Sequence, residues 1–161
     1  MSDGARRRLA FEQARLLGAL TTGAAAPAGF DRERVAAATE SLSSKRARAV
    51  ARAWPRLARA MGDEFAVSFA NYACAHPLAG DGSPLVDGRA FIDWLARDGR
   101  LSDEGRVEAF AFDARYRMSG GKVRRRRGPF VRARRLNETR RLLVVIRLPL
   151  VGERWWDAKF L

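Results

Sequence analysis

One histidine, His76, and one cysteine, Cys74, are the only soft ligands or nucleophiles of their kind in this 161-residue chain. They lie two residues apart on a predicted helix, a spacing that splays side chains to different faces. No third group that would orient a Cys–His pair can be named, and a zinc site needs more His or Cys than the chain has. His76 directly precedes Pro77, so it reads as a helix cap or a packed residue. Gly120 and Gly121 match neither the phosphate-loop nor the dinucleotide pattern. Glu108 and Asp113 fall on a predicted helix and are expected to pair with arginines rather than act as acid and base. The expectation is a chain that is not an enzyme, with no catalytic residue, no metal ligand and no cofactor.

Positive charge is abundant where catalytic groups are scarce. The stretch KVRRRRGPFVRARRLNETRRLLVVIRLPLVGERWW, residues 122–156, sets dense arginine against an unbroken apolar run. Residues 115–161 hold fifteen Lys and Arg against three acids, Glu138, Glu153 and Asp157. That is +12 of the total +13, so residues 1–114 are nearly neutral. Such asymmetry points to an anionic partner, or to a solvated face in an arginine-rich composition. Candidate anion- or peptide-binding residues are Arg124, Arg125, Arg126, Arg127, Arg132, Arg134, Arg135, Arg140, Arg141 and Arg147, with Trp155 and Trp156 as aromatic anchors.

The elements that would carry these residues follow from periodicity and punctuation. The composition, 47% hydrophobic and 30% charged, supports a buried core. No apolar segment approaches the roughly 20 residues that span a bilayer, and Glu12, Gln13 and Arg15 interrupt any leader-like stretch. A cytoplasmic protein with no membrane partner is expected, and a lone cysteine suits a reducing compartment. Helical spacing appears over residues 6–20, with Leu9, Gln13, Leu16 and Leu20 on one side and Leu17 widening the stripe. Asp31 is placed to cap a helix from Arg32 to about Leu42, and Ser43 or Ser44 to cap the next. Pro55 must bend, break or restart a helix. Gly62 ends one helix and Asp63 caps another, whose Phe65, Phe69, Tyr72 and Ala73 form a core stripe. A short helix starts at Asp87 and ends at Gly99, and Ser102 caps a further one carrying Val107, Phe110 and Ala114. The period then changes. MSGGK reads as a turn, FVRARRL alternates, NET can link a hairpin, LLVVIRL is a β-branched strand, and RWWDAKF is a last strand or a packed tail. The fold class is α+β: an N-terminal helical bundle over 5–115, then a small antiparallel β unit over 116–161.

Within this pattern, AWPRLARAMGDEFAVSFANYACAHP resembles a bacterial family long described as a "putative DNA-binding domain", the MbnC-like helical domain. The resembling positions are Trp54, Pro55, Leu57, Gly62, Phe65, Phe69, Tyr72, His76 and Pro77, with Phe91, Trp94 and Leu95 in the following GRAFIDWLA. Trp54 stands where the family usually has Phe, and the C-terminal part is shorter, as in a compact actinobacterial version. The resemblance implies a non-catalytic partner protein of a multinuclear non-haem iron oxidative enzyme. Such a partner would help present a ribosomally made precursor peptide, and the metal and chemistry would belong to the other subunit.

Three readings of the basic third follow. In the first, an edge strand accepts the precursor peptide, and Arg132, Arg134, Arg135, Arg140, Arg141 and Arg147 pair with its acids. In the second, a nucleic acid is the partner and Arg124 to Arg127, with the strand arginines, neutralise phosphates. Phe130 is then the lone aromatic available among the arginines for stacking. In the third, the arginines only solubilise a scaffold that docks through its helices. The resemblance favours the first.

Overall fold

A computed structural model describes residues 3–22, 24–78, 82–136, 138–149 and 151–159. Within these lie six helices followed by two small antiparallel sheets, the α+β arrangement expected. The helices are α1 (Asp3–Thr22), α2 (Arg32–Ala53), α3 (Pro55–Met61), α4 (Glu64–Ala75), α5 (Pro84–Arg97) and α6 (Asp103–Arg115). The strands are β1 (Tyr116–Ser119), β2 (Lys122–Arg125), β3 (Phe130–Leu136), β4 (Arg141–Leu148) and β5 (Gly152–Lys159). Asn137 of the proposed NET connection, residues 79–81 and Phe160 lie outside the described residues.

Several local expectations need correction. No break occurs at Ser43 or Ser44, because neither residue removes a backbone donor, and α2 runs on to Ala53. Asp31 does cap it, its Oδ1 accepting from Glu33 N at 3.0 Å and Arg34 N at 3.3 Å. Asp63 adopts helical dihedrals and caps nothing with its side chain. The helix given to Asp87 begins three residues earlier, where Pro84 supplies a preset φ and Ser83 Oγ accepts from Leu85 N. Leu9 and Leu17 of the α1 stripe are exposed, and Ala19 is buried.

The helix-to-strand change falls at residues 115–116, but the packing divides the chain elsewhere. One compact unit is Met1–Ala49 with Asp63–Ala79; the other is Val50–Gly62 with Gly80–Leu161. In the first, Phe65, Phe69, Tyr72 and Ala73 are buried on one face of α4, as their spacing requires. Their rings follow one another at 6.1 and 5.6 Å, and the His76 ring stacks on Tyr72 at 4.5 Å. His76 closes α4: its backbone N and its Nδ1 both lie at hydrogen-bond distance from the Tyr72 carbonyl. Its own carbonyl accepts from Arg46 Nη2 at 2.8 Å. Cys74 is exposed.

In the second unit, α6 is the central element. Ala109, Phe110, Phe112 and Ala114 are buried around it, so its apolar residues follow no single stripe. Phe110 and Ala114 form a cluster with Leu136, Leu143 and Val145 of the sheet. Phe112 meets Trp54 at 4.9 Å between ring centroids. Pro55 restarts the chain as the first residue of α3, whose N-terminal cap residue, Trp54, has no side chain able to accept. Glu108 of α6 supplies the missing acceptor. Its Oε1 and Oε2 receive Arg56 N at 3.2 Å and Leu57 N at 2.8 Å. The expected arginine partner of Glu108 is therefore a helix N-terminus, where a carboxylate also meets the positive end of the dipole. Glu108→Ala will cost about 1 kcal/mol of stability, the usual worth of a cap, measured by urea unfolding. An unchanged midpoint would refute the role.

Strands β3, β4 and β5 form a meander in that order, and β1 pairs with β2 as a separate hairpin. β4 register sets Arg132 opposite Val145 and Ala133 opposite Val144 on one side. On the other side Val145 faces Trp155 and Val144 faces Trp156. RWWDAKF thus begins as a strand rather than as a tail.

Candidate anion-binding surface

The β1–β2 hairpin turns through Gly120 and Gly121, both in the left-handed region at φ 57° and 69°. Side chains strain there, so glycine suits this two-residue turn. The turn fixes the register, and Arg117 comes directly opposite Arg124. Arg125 lies opposite Tyr116. Arg117, Arg124, Arg125, Arg126 and Arg127, with Gly128 and Pro129, line an open cavity of about 690 Å³. No acid lines it.

Arg126 holds this region in place. Its backbone N donates to Arg115 O at 2.8 Å, and its Nε to Asp113 O at 2.7 Å and Tyr116 O at 3.1 Å. Its guanidinium lies 4.5 Å from the centroid of the Phe130 ring, within cation–π range. Arg117, Arg124, Arg125 and Arg127 have no side-chain hydrogen bond or ion pair among the described residues. Like charges facing across a hairpin repel, and a bound anion removes that repulsion. Arginines lining one cavity suit carboxylates or phosphates, which a guanidinium can grip bidentately.

The strand arginines are placed differently. Arg132 and Arg134 share the inner face of β3, toward α6. Arg132 Nη1 donates to Asp113 Oδ2 at 2.9 Å, and Asp113 also takes two hydrogen bonds from Arg89, at 3.0 and 3.1 Å. Arg134 is half-buried. Burial first, then the nearby charges of Arg106, Arg132 and Arg89, lowers its pKa from the ordinary arginine value. Arg141 pairs with Asp157 through two hydrogen bonds. Arg147 Nη1 reaches the Ala114 and Arg115 carbonyls at 3.4 and 3.3 Å, closing the C-terminal end of α6, with Glu153 3.9 Å away. Arg135 is exposed on the opposite face of β3. Arg140 sits at the β3–β4 turn with φ 49°. Trp155 packs edge-on against Phe110 at 5.7 Å, and Trp156 points to the other face of the sheet.

The structure thus gathers Arg124 to Arg127 in one place, adds Arg117, and ties Arg132, Arg141 and Arg147 to partners within their own unit. The signal for Arg117 was present in the Gly120–Gly121 turn, which dictates that register. A second concavity, about 670 Å³, runs along α6 past Trp54, Phe112, Tyr116 and Trp155, with Asp103 and Glu104 on its wall. Asp103 is buried there, and its Oδ2 accepts from Thr139 N and Oγ1, each at 2.8 Å. Among the described residues no three His, Cys, Asp or Glu side chains group as a metal site. Among the same residues no helix is long and apolar enough to cross a membrane.

Residues 10–97, more than half of the chain, match the family described as SCO6045-like, C-terminal domain. The chain belongs to that family. Membership in the SCO6045-like family covers α2 to α5 and most of α1, and stops short of α6 and every strand. The arginine cavity therefore lies outside the matched segment. The chain is also 39% identical over 102 residues to a UPF0276 protein of Streptomyces avermitilis. Those residues are 63% of this chain but 20% of that relative, so the chain spans about a fifth of the length of the curated relative it matches. No solved structure matches it.

Proposed function

We propose that this chain is a non-catalytic partner protein of the cytoplasm. It binds an iron-dependent peptide-modifying oxidase of the multinuclear non-haem type, its precursor peptide, or both, in ribosomal peptide natural-product biosynthesis. The observation that carries this reading is the cavity lined by Arg117 and Arg124 to Arg127, with no acid among the described residues of its wall. Acidic side chains of a precursor peptide are its natural occupants, since carboxylates match the guanidinium fork. The length comparison adds support. Four-fifths of the Streptomyces avermitilis relative lies outside the match, as suits a module that works beside a larger polypeptide.

The test uses the full chain and a fluorescent glutamate-rich peptide, read by anisotropy. The triple variant Arg117→Glu, Arg124→Glu, Arg125→Glu, which spares the anchoring Arg126, will bind at least about 30-fold more weakly, roughly 2 kcal/mol. Equal affinity for variant and parent sinks the reading. Duplex DNA of matched charge serves as the competitor. Preference for DNA, with a log–log salt slope near −0.9 per phosphate, moves the assignment to nucleic acid.

A further inference from the structure

β4, RLLVVIRL, carries apolar side chains on both of its faces. A strand needs that only when both faces of its sheet are covered. One face is covered, since Leu143 and Val145 are buried with Phe110 and Ala114 of α6. Its other face is only partly covered, with Val144 and Ile146 half-buried and Leu142 and Leu148 exposed. There the register aligns Val131 with Ile146, Ala133 with Val144 and Trp156, and Leu142 with Ala158. Val131 is 66% exposed, Trp156 51%, Leu148 44% and Leu142 39%. Isolated exposed apolar residues mean little, but a contiguous apolar sheet face is a mark of an interface.

The charge at its border says what would cover it. Arg135 and Arg154 stand on this face at its margins, whereas the β5 acids Glu153 and Asp157 stand on the inner one. A second copy stacked on this face would set these arginines, and two C-terminal thirds of net +12, against one another. An acidic partner meets attraction instead, which also speeds encounter. We propose that the outer face of the β3–β4–β5 sheet, centred on Val131, Val144 and Trp156, docks a protein whose contact surface has an apolar centre and an acidic rim. Trp156 is the anchor, as tryptophan commonly is where binding energy concentrates. The proposal rests on the partner-protein reading and adds a second surface, separate in sequence from the arginine cavity.

The experiment puts the photo-crosslinking residue p-benzoylphenylalanine in place of Val131 in the full chain, expressed in its native host. Expected is a single adduct with another protein, whose cross-linked peptide is apolar and flanked by Asp and Glu. That protein, once purified, will bind the parent chain at least about 30-fold more tightly than Trp156→Asp. An adduct with a second copy, a lipid adduct, no adduct, or equal binding to Trp156→Asp would each overturn the proposal. Trp156→Asp must keep its affinity for the glutamate-rich peptide and its thermal midpoint. If the arginine variant leaves peptide binding intact while Trp156→Asp still loses the partner, the cavity reading fails and this one stands.

Discussion

Replacing Trp54 by alanine will lower stability by about 4 kcal/mol, near the middle of the range for large aromatic truncations. The ring is fully buried and lies 4.9 Å from Phe112. Its Nε1–H donates to the Pro84 carbonyl at 3.2 Å, so truncation also strands an acceptor. The fit is tight on the α5 side. A Cβ built on Gly88 would come within 2.1 Å of Trp54 Nε1, so no side chain fits there while the indole stays. Gly88→Ala will therefore also destabilise, by about 2 kcal/mol or more, through overpacking. Pairing it with Trp54→Phe should return part of that loss, a coupling that only residues in contact display. Thermal unfolding checks all three. A Trp54→Ala midpoint within about 3 °C of the parent, which at this chain length is close to 1 kcal/mol, would refute the packing argument.

The second large effect is expected at Asp113. Its carboxylate takes a bidentate pair of hydrogen bonds from Arg89 and a third from Arg132. Arg89 and Asp113 are both largely buried, with Asp93 as a further partner of Arg89 at 2.6 Å. Burial alone would lower the Arg89 pKa, but the hydrogen bonds of Asp113 and Asp93 leave it raised. Asp113→Ala removes the central anion from among Arg89, Arg132 and Arg134. The expected cost is about 3 kcal/mol, because one partner removed from a buried pair leaves a charge uncompensated. Asp113→Asn keeps the shape and will show a smaller loss. Removing the charges together, as Arg89→Met, Asp113→Leu and Arg132→Leu, should recover most of the stability. Denaturant titration separates these outcomes, and equal losses for Asp113→Ala and the triple replacement would contradict the account.

How much of this was legible in the sequence depends on the kind of signal. The α4 stripe and the Ser102 and Asp31 caps came from periodicity and short-range hydrogen bonding, and the structure has all of them. Alternation in FVRARRL correctly separated Val131 and Ala133 from Arg132 and Arg134. It could not say which pair faces inward. Phe130 and Leu136 share the face of Arg132 and Arg134 and pack with Phe110 and Ala114, so that face turns inward. Asp113 receives Arg132 there, and Val131 is left in water. The arginines assigned to a peptide partner were similarly hard to sort. Nothing in the strand sequence shows that Asp157 stands near Arg141, or that the end of α6 is closed by Arg147. The hairpin register through Gly120 and Gly121 was readable, and it would have placed Arg117 beside Arg124. The acceptor for α3 was not, since Glu108 lies 51 residues along the chain from Leu57.

That last separation has a kinetic meaning. The β3–β4–β5 meander joins neighbours in sequence, and such hairpins close in microseconds. Bringing Leu57 to Glu108 must instead close a loop of about 50 residues, an entropic cost of roughly 3.5 kcal/mol. On this ground the α3–α6 junction is expected to form late on the folding path, after the sheet. Loss of the Glu108 carboxylate should accordingly speed unfolding while leaving the refolding rate nearly untouched.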